Sequence, residues 1–217
     1  MPLIFSVLGT GNYSYSDYSI YNSGWNGVSN FKSEIESEGY KVQTTISSLR
    51  VLSRVNENSV LVILGPKVSY DPLEASAFRE FLNRGGKALI ADDFGELNTL
   101  LIFSGLGVQF SGKLMLDAGS YDKNVCLPVI KSFVSHPLTS GVSSIILNYP
   151  TSISLGIGSS LTPLAYSTSS SWLDENNNYQ YDEGEIVSSF TVAAYGSIGN
   201  GTLVLVSDPS MFNNDMI

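Results

Sequence analysis

The stretch SVLVILGPKVSYDPLEASAFREFLNRGGKALIADDFG, residues 59–95, decides the fold of this chain. Its first part, residues 59–64, is a continuous apolar run, which is typical of a strand covered on both faces. Asp71 and Pro72 then match the N-cap and first position of a helix, and Gly85 suits its end. Residues 87–91 form the next apolar strand. The stretch therefore predicts a strand, a helix and a second strand that belong to a parallel sheet.

The helix within this stretch is predicted to bury one apolar side, formed by Leu73, Phe78, Phe81 and Leu82. Strand and helix alternate on both sides of it as far as residue 112. Strands are predicted at 3–8, 40–45, 59–64, 87–91 and 108–110, and helices at 25–38, 47–55, 71–84 and 96–105. This alternation predicts an α/β fold with three layers, a mostly parallel sheet of the flavodoxin or Rossmann type covered by helices.

The pattern changes after Gly112, where strand candidates follow one another with few helices between them. They cover residues 125–130, 145–147, 153–155, 163–167, 186–195 and 202–207. We therefore expect one domain over residues 1–217 with an antiparallel β-rich extension at 113–200. The last apolar run, 202–206, is expected to return to the main sheet.

Composition restricts the classes of function. The chain has 217 residues, is 43% hydrophobic and only 14% charged, and carries a net charge of −9. Without a basic face, binding to a phosphate backbone is not expected. The single cysteine, Cys126, excludes an internal disulfide and lies in an apolar run that suits a buried thiol. No run reaches the roughly 18 apolar residues of a membrane span.

Two features of the sequence bear on the cellular location. Two glycosylation sequons occur, at Asn12 and Asn200, and the polar residues are mostly serine, tyrosine and asparagine with few lysines. These features favour the extracytoplasmic face of a membrane or the cell surface. A cytoplasmic location is the alternative.

Polar residues follow several predicted strands at the edge where open parallel sheets bind ligands. They are Gly65, Asp92, Asp93 and Asp208. The chain has neither a dinucleotide fingerprint nor a phosphate-binding loop. Asp92 and Asp93 could serve as an acid and base or hold a cation, and the structural alternative is that they cap the following helix. A hydrolase using Asp92, Asp93 or the single histidine, His136, is a second hypothesis, although no nucleophile elbow is present.

A tyrosine-rich segment precedes the first predicted helix and contains Tyr13, Tyr15, Tyr18 and Tyr21. Tyrosines spaced by small polar residues supply rigid contact area for a sugar or a peptide. A third hypothesis is therefore an extracellular sugar or peptide receptor. The alternative is a loop that packs on its own domain.

The stretch WLDENNNYQYDEGE, residues 172–185, carries the most specific chemical pattern in the chain. Calcium loops of the EF-hand type supply oxygen ligands from positions 1, 3, 5, 7, 9 and 12. If Asp174 is position 1, these positions hold Asp174, Asn176, Asn178, Gln180 through its backbone carbonyl, Asp182 and Glu185. We therefore predict a structural Ca²⁺ site that closes a β-hairpin, and the alternative is a solvated polar tip of that hairpin. Position 6 departs from the pattern, because Tyr179 stands where glycine is needed for a sharp turn.

Four segments together resemble a known protein family over about residues 24–214. They are GWNGVSNFKSEIESEGYKV (24–42), SYDPLEASAFREFLNRGGKALIADDFGELNTLLIFSGLGVQF (69–110), SHPLTSGV (135–142) and GNGTLVLVSDPSMFNND (199–215). The family comprises membrane-anchored prokaryotic proteins of uncharacterised function. It is distantly related to the auxiliary subunit of gliding-motility ABC transporters and to intraflagellar-transport domains of the GIFT type.

This resemblance implies a class I glutamine amidotransferase-like fold. Amidotransferases carry a nucleophilic cysteine after a central strand, and the matching position here holds Asp92 and Asp93. The resemblance thus implies a non-enzymatic domain that binds a ligand or a protein partner in a membrane-associated complex. Membrane helices of this family would lie outside the present chain. Family members often occur beside a MoxR-type ATPase and a transglutaminase-like protein, which implies a role in assembly.

Overall fold

A computed structural model of the chain describes residues 2–6, 16–45 and 47–217. The helices are α1 (Ser29–Ser37), α2 (Pro72–Arg84) and α3 (Leu97–Phe103). The strands are β1 (Pro2–Ser6), β2 (Lys41–Thr45), β3 (Val60–Leu64), β4 (Lys87–Ala91), β5 (Val108–Phe110), β6 (Leu114–Asp117), β7 (Val129–Ile130), β8 (Ser132–Phe133), β9 (Ile145–Ile146), β10 (Ile153–Leu155), β11 (Leu161–Tyr166), β12 (Ser171–Asp174), β13 (Val187–Ser188), β14 (Thr191–Ile198) and β15 (Gly201–Val206). Short 3₁₀ helices cover Leu49–Arg54, Pro137–Thr139 and Ser210–Phe212.

The main sheet has a parallel core and antiparallel additions. Its strand order is β2-β1-β3-β4-β15-β14-β10-β5, and β11 and β8 join beside β14. Strands β2, β1, β3, β4 and β15 run parallel, whereas every pair beyond β15 is antiparallel. The predicted mixed α/β fold, with a mostly parallel core and antiparallel strands added to it, is confirmed. The return of the last long strand to the core, beside β4, is confirmed as well.

Helices cover the parallel core on both sides. Leu61 and Ile63 of β3 point into a core with α2 and α3, while Val62 and Leu64 point into a second core that includes Phe31 of α1. Successive residues of a strand face opposite sides of a sheet, so β3 must be apolar throughout. This explains why residues 59–64 read as one continuous apolar run.

Helix α2 follows the sequence prediction at its ends and departs from it on one face. The Asp71 carboxylate accepts hydrogen bonds from the backbone N–H of Leu73 and Glu74, and the Asp71 N–H donates to the Glu74 carboxylate, forming a capping box. Gly85 ends the helix with φ 117°. Leu73 is 61% exposed, so its predicted place in the core is wrong. Ala75 takes part in the buried face instead, because it lies one turn before Phe78.

Other boundaries differ where side chains redirect the backbone. Helix α1 begins at Ser29 rather than at residue 25, because Asn22 and Asn26 close a turn through a side-chain hydrogen bond of 2.9 Å. Strand β5 is predicted as part of the alternating parallel pattern but pairs antiparallel with β10. Strand β6 is missing from the prediction, and it lies in a second sheet of order β13-β12-β6. In the part of the chain that the structure describes, no helix is long and apolar enough to cross a bilayer.

Candidate functional site

The carboxyl ends of three neighbouring core strands bring the predicted edge residues side by side. Gly65 follows β3, Asp92 follows β4 and Asp208 comes two residues after β15. The Gly65 amide donates to the Ala91 carbonyl at 2.9 Å, and the Asp92 amide donates to the Val206 carbonyl at 3.3 Å. The ladder hydrogen bonds thus extend to the very edge, where the polar residues begin.

Asp208 is fully buried at this edge. Its Oδ2 accepts from the Asn148 amide at 2.6 Å, and its Oδ1 accepts from the Ser210 amide at 2.7 Å. Burial raises the pKa of the Asp208 carboxyl to about 7, although these two N–H groups act in the opposite direction. Asp208 therefore connects the C-terminal turn at Ser210 to the turn at Asn148.

Asp92 is buried as well and serves the start of α3. Its Oδ2 accepts from the Leu97 amide at 3.0 Å, and its Oδ1 has no hydrogen-bond partner among the described residues. Burial raises the pKa of the Asp92 carboxyl to about 6. Asp93 is only half-buried, and its Oδ1 accepts from the Phe94 amide at 2.6 Å. Burial also raises the pKa of Asp93.

Tyr18 lies against this edge. A methyl group added to Gly65 would come within 2.3 Å of the Tyr18 ring, and the Tyr18 hydroxyl is 3.3 Å from the Ser210 hydroxyl. Burial is the main cause that raises the pKa of Tyr18, and the charges of Asp93, Asp208 and Asp17 add to it. Tyr21, by contrast, is exposed and bonds to Thr44 at 2.6 Å. The other two tyrosines of the predicted receptor loop, Tyr13 and Tyr15, lie outside the described residues.

His136 does not join the carboxylates. Its Nδ1 accepts from the Leu138 amide, and its ring packs on Tyr195 of β14 with centroids 4.4 Å apart. Tyr195 is paired with Val204, whose side chain faces the α1 side of the sheet. Asp92 bonds to the first residue of α3, on the opposite side. The sheet therefore separates His136 from Asp92, so these two side chains do not converge.

The loop at residues 174–185 is closed by its two terminal carboxylates. Asp174 is buried at the end of β12, and its two oxygens accept from the amides of Asn178 and Tyr179 at 3.2 and 2.8 Å. Glu185 accepts from the amides of Glu175 and Asp182, both at 2.9 Å. Asp174 and Glu185, at positions 1 and 12 of the predicted calcium loop, thus hold the backbone of the loop in a tight turn.

The same loop carries further oxygen-bearing side chains, which are exposed or half-buried. Asp182 Oδ2 accepts from the side-chain amides of Asn176 and Asn178 at 2.7 and 2.6 Å. Asn176 Oδ1 and Asn178 Oδ1 accept from the backbone amides of Asn178 and Gln180 at 3.1 and 2.8 Å, so both side-chain oxygens face the backbone of the loop. The predicted ligand atom of Gln180 is its backbone carbonyl oxygen. Carboxylate, amide and carbonyl oxygens are the ligand types that a hard cation takes.

The acidic groups alone do not form such a site. Within residues 2–6, 16–45 and 47–217, no three histidine, cysteine, aspartate or glutamate side chains are grouped as metal ligands. A cation in the loop would therefore depend on the amide and carbonyl oxygens as well as on Asp174, Asp182 and Glu185.

Tyr179 adopts the conformation that glycine takes at position 6, with φ 63°. Its ring meets that of Tyr149, which also has a positive φ, of 54°. Tyr149 was not predicted as a site residue, because it lies 30 residues upstream in an Asn-Tyr-Pro turn with no local sign of its role. Only the folded chain brings the two tyrosines together.

Comparisons with known proteins agree with this architecture. A family model described as a domain of unknown function, DUF4350, matches residues 20–217. The chain matches no curated protein.

Among solved structures, the mmIFT52 N-terminal domain is similar over 98% of this chain and 88% of its own, with 12% identity and a TM-score of 0.73. A putative ThuA-like protein from Bacteroides uniformis is similar over 99% of this chain and 82% of its own, with 14% identity and a TM-score of 0.53. A β-galactosidase from Rahnella sp. R3 is similar over 97% of this chain but only 29% of its own, with 10% identity and a TM-score of 0.53. At these identities the likeness concerns the fold alone.

Proposed function

We propose that this chain, which belongs to the DUF4350 family, is a non-enzymatic binding and assembly domain whose hairpin loop holds a structural calcium ion. The observation that carries the proposal is the left-handed backbone of Tyr179, φ 63°, at the position where calcium loops require glycine. Tyrosine is disfavoured in this conformation, so the surrounding loop must impose it.

The residues that would hold the ion are those at the alternating positions of the loop. Asp174, Asn176, Asn178 and Asp182 would supply side-chain oxygens, Gln180 its carbonyl, and Glu185 both carboxylate oxygens. The ion would bind the hairpin together and supply no reaction chemistry. Calcium suits this set because it accepts six to eight oxygens in flexible geometry, whereas magnesium demands a near-ideal octahedron.

The sheet edge supports a binding role rather than a catalytic one. One oxygen of Asp92 accepts a hydrogen bond from the Leu97 amide at the start of α3, and His136 lies on the other side of the sheet. The ThuA-like similarity favours a class I glutamine amidotransferase-like fold. In that fold the position after the central strand holds the nucleophile, and here it holds Asp92, which lacks a thiol. In the ligand edge formed by Gly65, Asp92, Asp93 and Asp208, three residues are buried and support the edge, so Asp93 is the member that would meet a ligand.

We further propose that the domain works outside the cytoplasm, as part of a membrane-associated complex with a protein partner and without nucleic acid. Extracellular calcium modules bind with dissociation constants of about 10⁻⁴–10⁻³ M, which suits a loop whose turn residue is a tyrosine. The net charge of −9 supports the exclusion of nucleic acid.

Calcium titration by calorimetry, together with thermal unfolding with and without a chelator, tests the proposal. If the dissociation constant is about 10⁻⁴ M, 10 mM calcium should raise the free energy of unfolding by about 2.7 kcal/mol. Glu185→Gln should weaken binding at least tenfold, because it removes the bidentate ligand. Glu183→Gln is the matched control, since Glu183 lies in the same loop outside the ligand positions, and it should bind like wild type. Absence of binding heat together with an unchanged melting temperature would refute the calcium site.

A further inference from the structure

We infer that the domain docks a basic, partly apolar peptide segment of a protein partner on one surface at the carboxyl end of the sheet. This carboxyl-end surface consists of Asp17, Tyr18, Trp25, Asp93 and Phe94. The inference rests on the binding role proposed above and specifies the chemistry of the partner. It does not depend on calcium.

The first three residues lie in one turn. The Tyr18 amide donates to the Asn26 carbonyl at 2.9 Å, and the Asn26 side chain donates to Asp17 at 2.5 Å. Trp25 directly precedes Asn26 in the chain. Asp17, Tyr18 and Trp25 are therefore neighbours in space, and the Tyr18 ring fixes this turn on Gly65 at the end of β3.

Asp93 and Phe94 border the same turn from the end of β4. The charge of Asp93 acts on both Tyr18 and Lys67, and Lys67 Nζ lies 5.9 Å from the centre of the Tyr18 ring. The loop that carries Phe94 is tied to the β3 loop, because the Glu96 amide donates to the Pro66 carbonyl at 3.1 Å. The two loops and the Tyr18 turn thus form a continuous surface.

This surface exposes large aromatic side chains. Trp25 is 66% exposed and Phe94 is 52% exposed, whereas the other tryptophan, Trp172, is 6% exposed. Tryptophan and other aromatic residues are enriched at protein interfaces and among the residues that carry most of the binding energy. The Trp25 and Phe94 rings supply the apolar anchors of the surface.

The charge of the surface selects a cationic partner. Among the described residues neither Asp17 nor Asp93 belongs to an ion pair within 4.0 Å, since those pairs are Lys32–Glu36, Arg50–Asp71, Arg84–Glu80 and Lys113–Glu175. Lys67 Nζ lies over the Tyr18 ring and its charge offsets part of that of Asp93, which leaves the surface net negative because Asp17 and Asp93 outnumber it. A second copy of the chain would bring another net charge of −9, which disfavours self-association at this surface.

A library of random 12-residue peptides displayed on phage, selected on the purified domain, tests the inference without assuming a sequence. The selected peptides should be rich in arginine and lysine with interspersed apolar residues. Trp25→Ala and Asp93→Asn should each weaken binding of a selected peptide at least fivefold. Tyr40→Ala and Glu57→Gln are the matched controls, because both exposed residues lie at the opposite end of the sheet, and they should bind like wild type.

A second readout comes from tryptophan fluorescence. Peptide binding should shift the emission of exposed Trp25 to shorter wavelength, and the shift should be lost in Trp25→Phe. Selected peptides that are neutral or acidic, no selected peptides, or equal losses in the control variants would each overturn the inference. Calcium binding measured on the same protein separates the two proposals. Calcium binding without peptide binding would overturn only the docking surface, and peptide binding without calcium binding would overturn only the calcium site.

Discussion

The rings of Tyr149 and Tyr179 meet edge to face, with centroids 6.2 Å apart and planes at 83°. Both residues have a left-handed backbone, with φ 54° and 63°. The contact links the hairpin loop to the sheet edge, because the amide of Asn148, next to Tyr149, donates to Asp208 at 2.6 Å. Each strained tyrosine thus packs on the other and helps to hold it in place.

The first prediction concerns the energy of this contact. A double-mutant cycle with Tyr149→Ala and Tyr179→Ala should give a coupling energy of about 0.5–1.5 kcal/mol, the range of aromatic pairs. Unfolding in denaturant measures it. The pair Tyr149 and Tyr181 serves as control and should be additive, because the Tyr181 ring lies edge-on to Trp172 instead. A cycle without measurable coupling would mean that the two rings do not stabilise each other.

The second prediction concerns the turn residue of the loop. Tyr179→Gly should bind calcium at least as tightly as wild type, because glycine adopts the positive φ of position 6 at little cost whereas other residues pay about 1–2 kcal/mol there. Calorimetry with calcium measures the change. Tyr181→Gly is the control and should weaken binding, since it adds backbone freedom without relieving strain at position 6. Weaker binding by Tyr179→Gly would contradict the assigned register of the loop.

The third prediction concerns pH. The raised pKa of Asp92, about 6, means that the folded protein binds this proton more tightly than the unfolded chain does, whose aspartate pKa is 3.8. The stabilisation that comes from protonated Asp92 is therefore fully present below pH 3.8, and the free energy of unfolding falls as the pH rises through 6. Asp92→Asn keeps an oxygen for the Leu97 amide and carries no charge. At pH 8 it should be about 1–3 kcal/mol more stable than wild type, and at pH 3.5 about equal.

Unfolding free energies between pH 3.5 and 8 measure this effect. The exposed Asp122→Asn is the control and should leave the pH profile unchanged. The Asp92→Asn profile should still decline as the pH rises to about 7, because buried Asp208 titrates there in the same sense. If Asp92→Asn parallels wild type over the whole range, the Asp92 carboxylate is not destabilised by burial.

The fourth prediction separates backbone strain from crowding at the sheet edge. Gly65→Ala places a methyl group 2.3 Å from the Tyr18 ring at φ 48°, whereas Gly39→Ala, at φ 84°, meets no atom within 4 Å. Gly39→Ala should cost about 1 kcal/mol for the backbone alone, and Gly65→Ala about 1–3 kcal/mol more. Thermal unfolding compares them. Equal losses would show that Tyr18 does not pack on Gly65 in solution.

The residue pattern was sufficient to predict local structure wherever that structure depends on interactions between residues close together in the chain. The Asp71–Glu74 capping box and the terminal Gly85 delimit α2 because capping is a contact between residues a few positions apart. The apolar run of β3 and the oxygen spacing of residues 174–185 are equally local. For the same reason the parallel core could be predicted, since alternating strands and helices leave few arrangements.

Contacts between distant parts of the chain depended on the folded structure. The pairing of β5 with β10, the place of β6 in a second sheet and the exposure of Leu73 follow from how the layers meet, which no local pattern encodes. The same holds for the Tyr149–Tyr179 contact and for the separation of His136 from Asp92. By itself, the sequence determined most elements of the parallel core and the oxygen-rich loop, because backbone propensity and side-chain period are local. Tertiary packing alone decided which side chains meet, because those contacts join residues far apart in the chain.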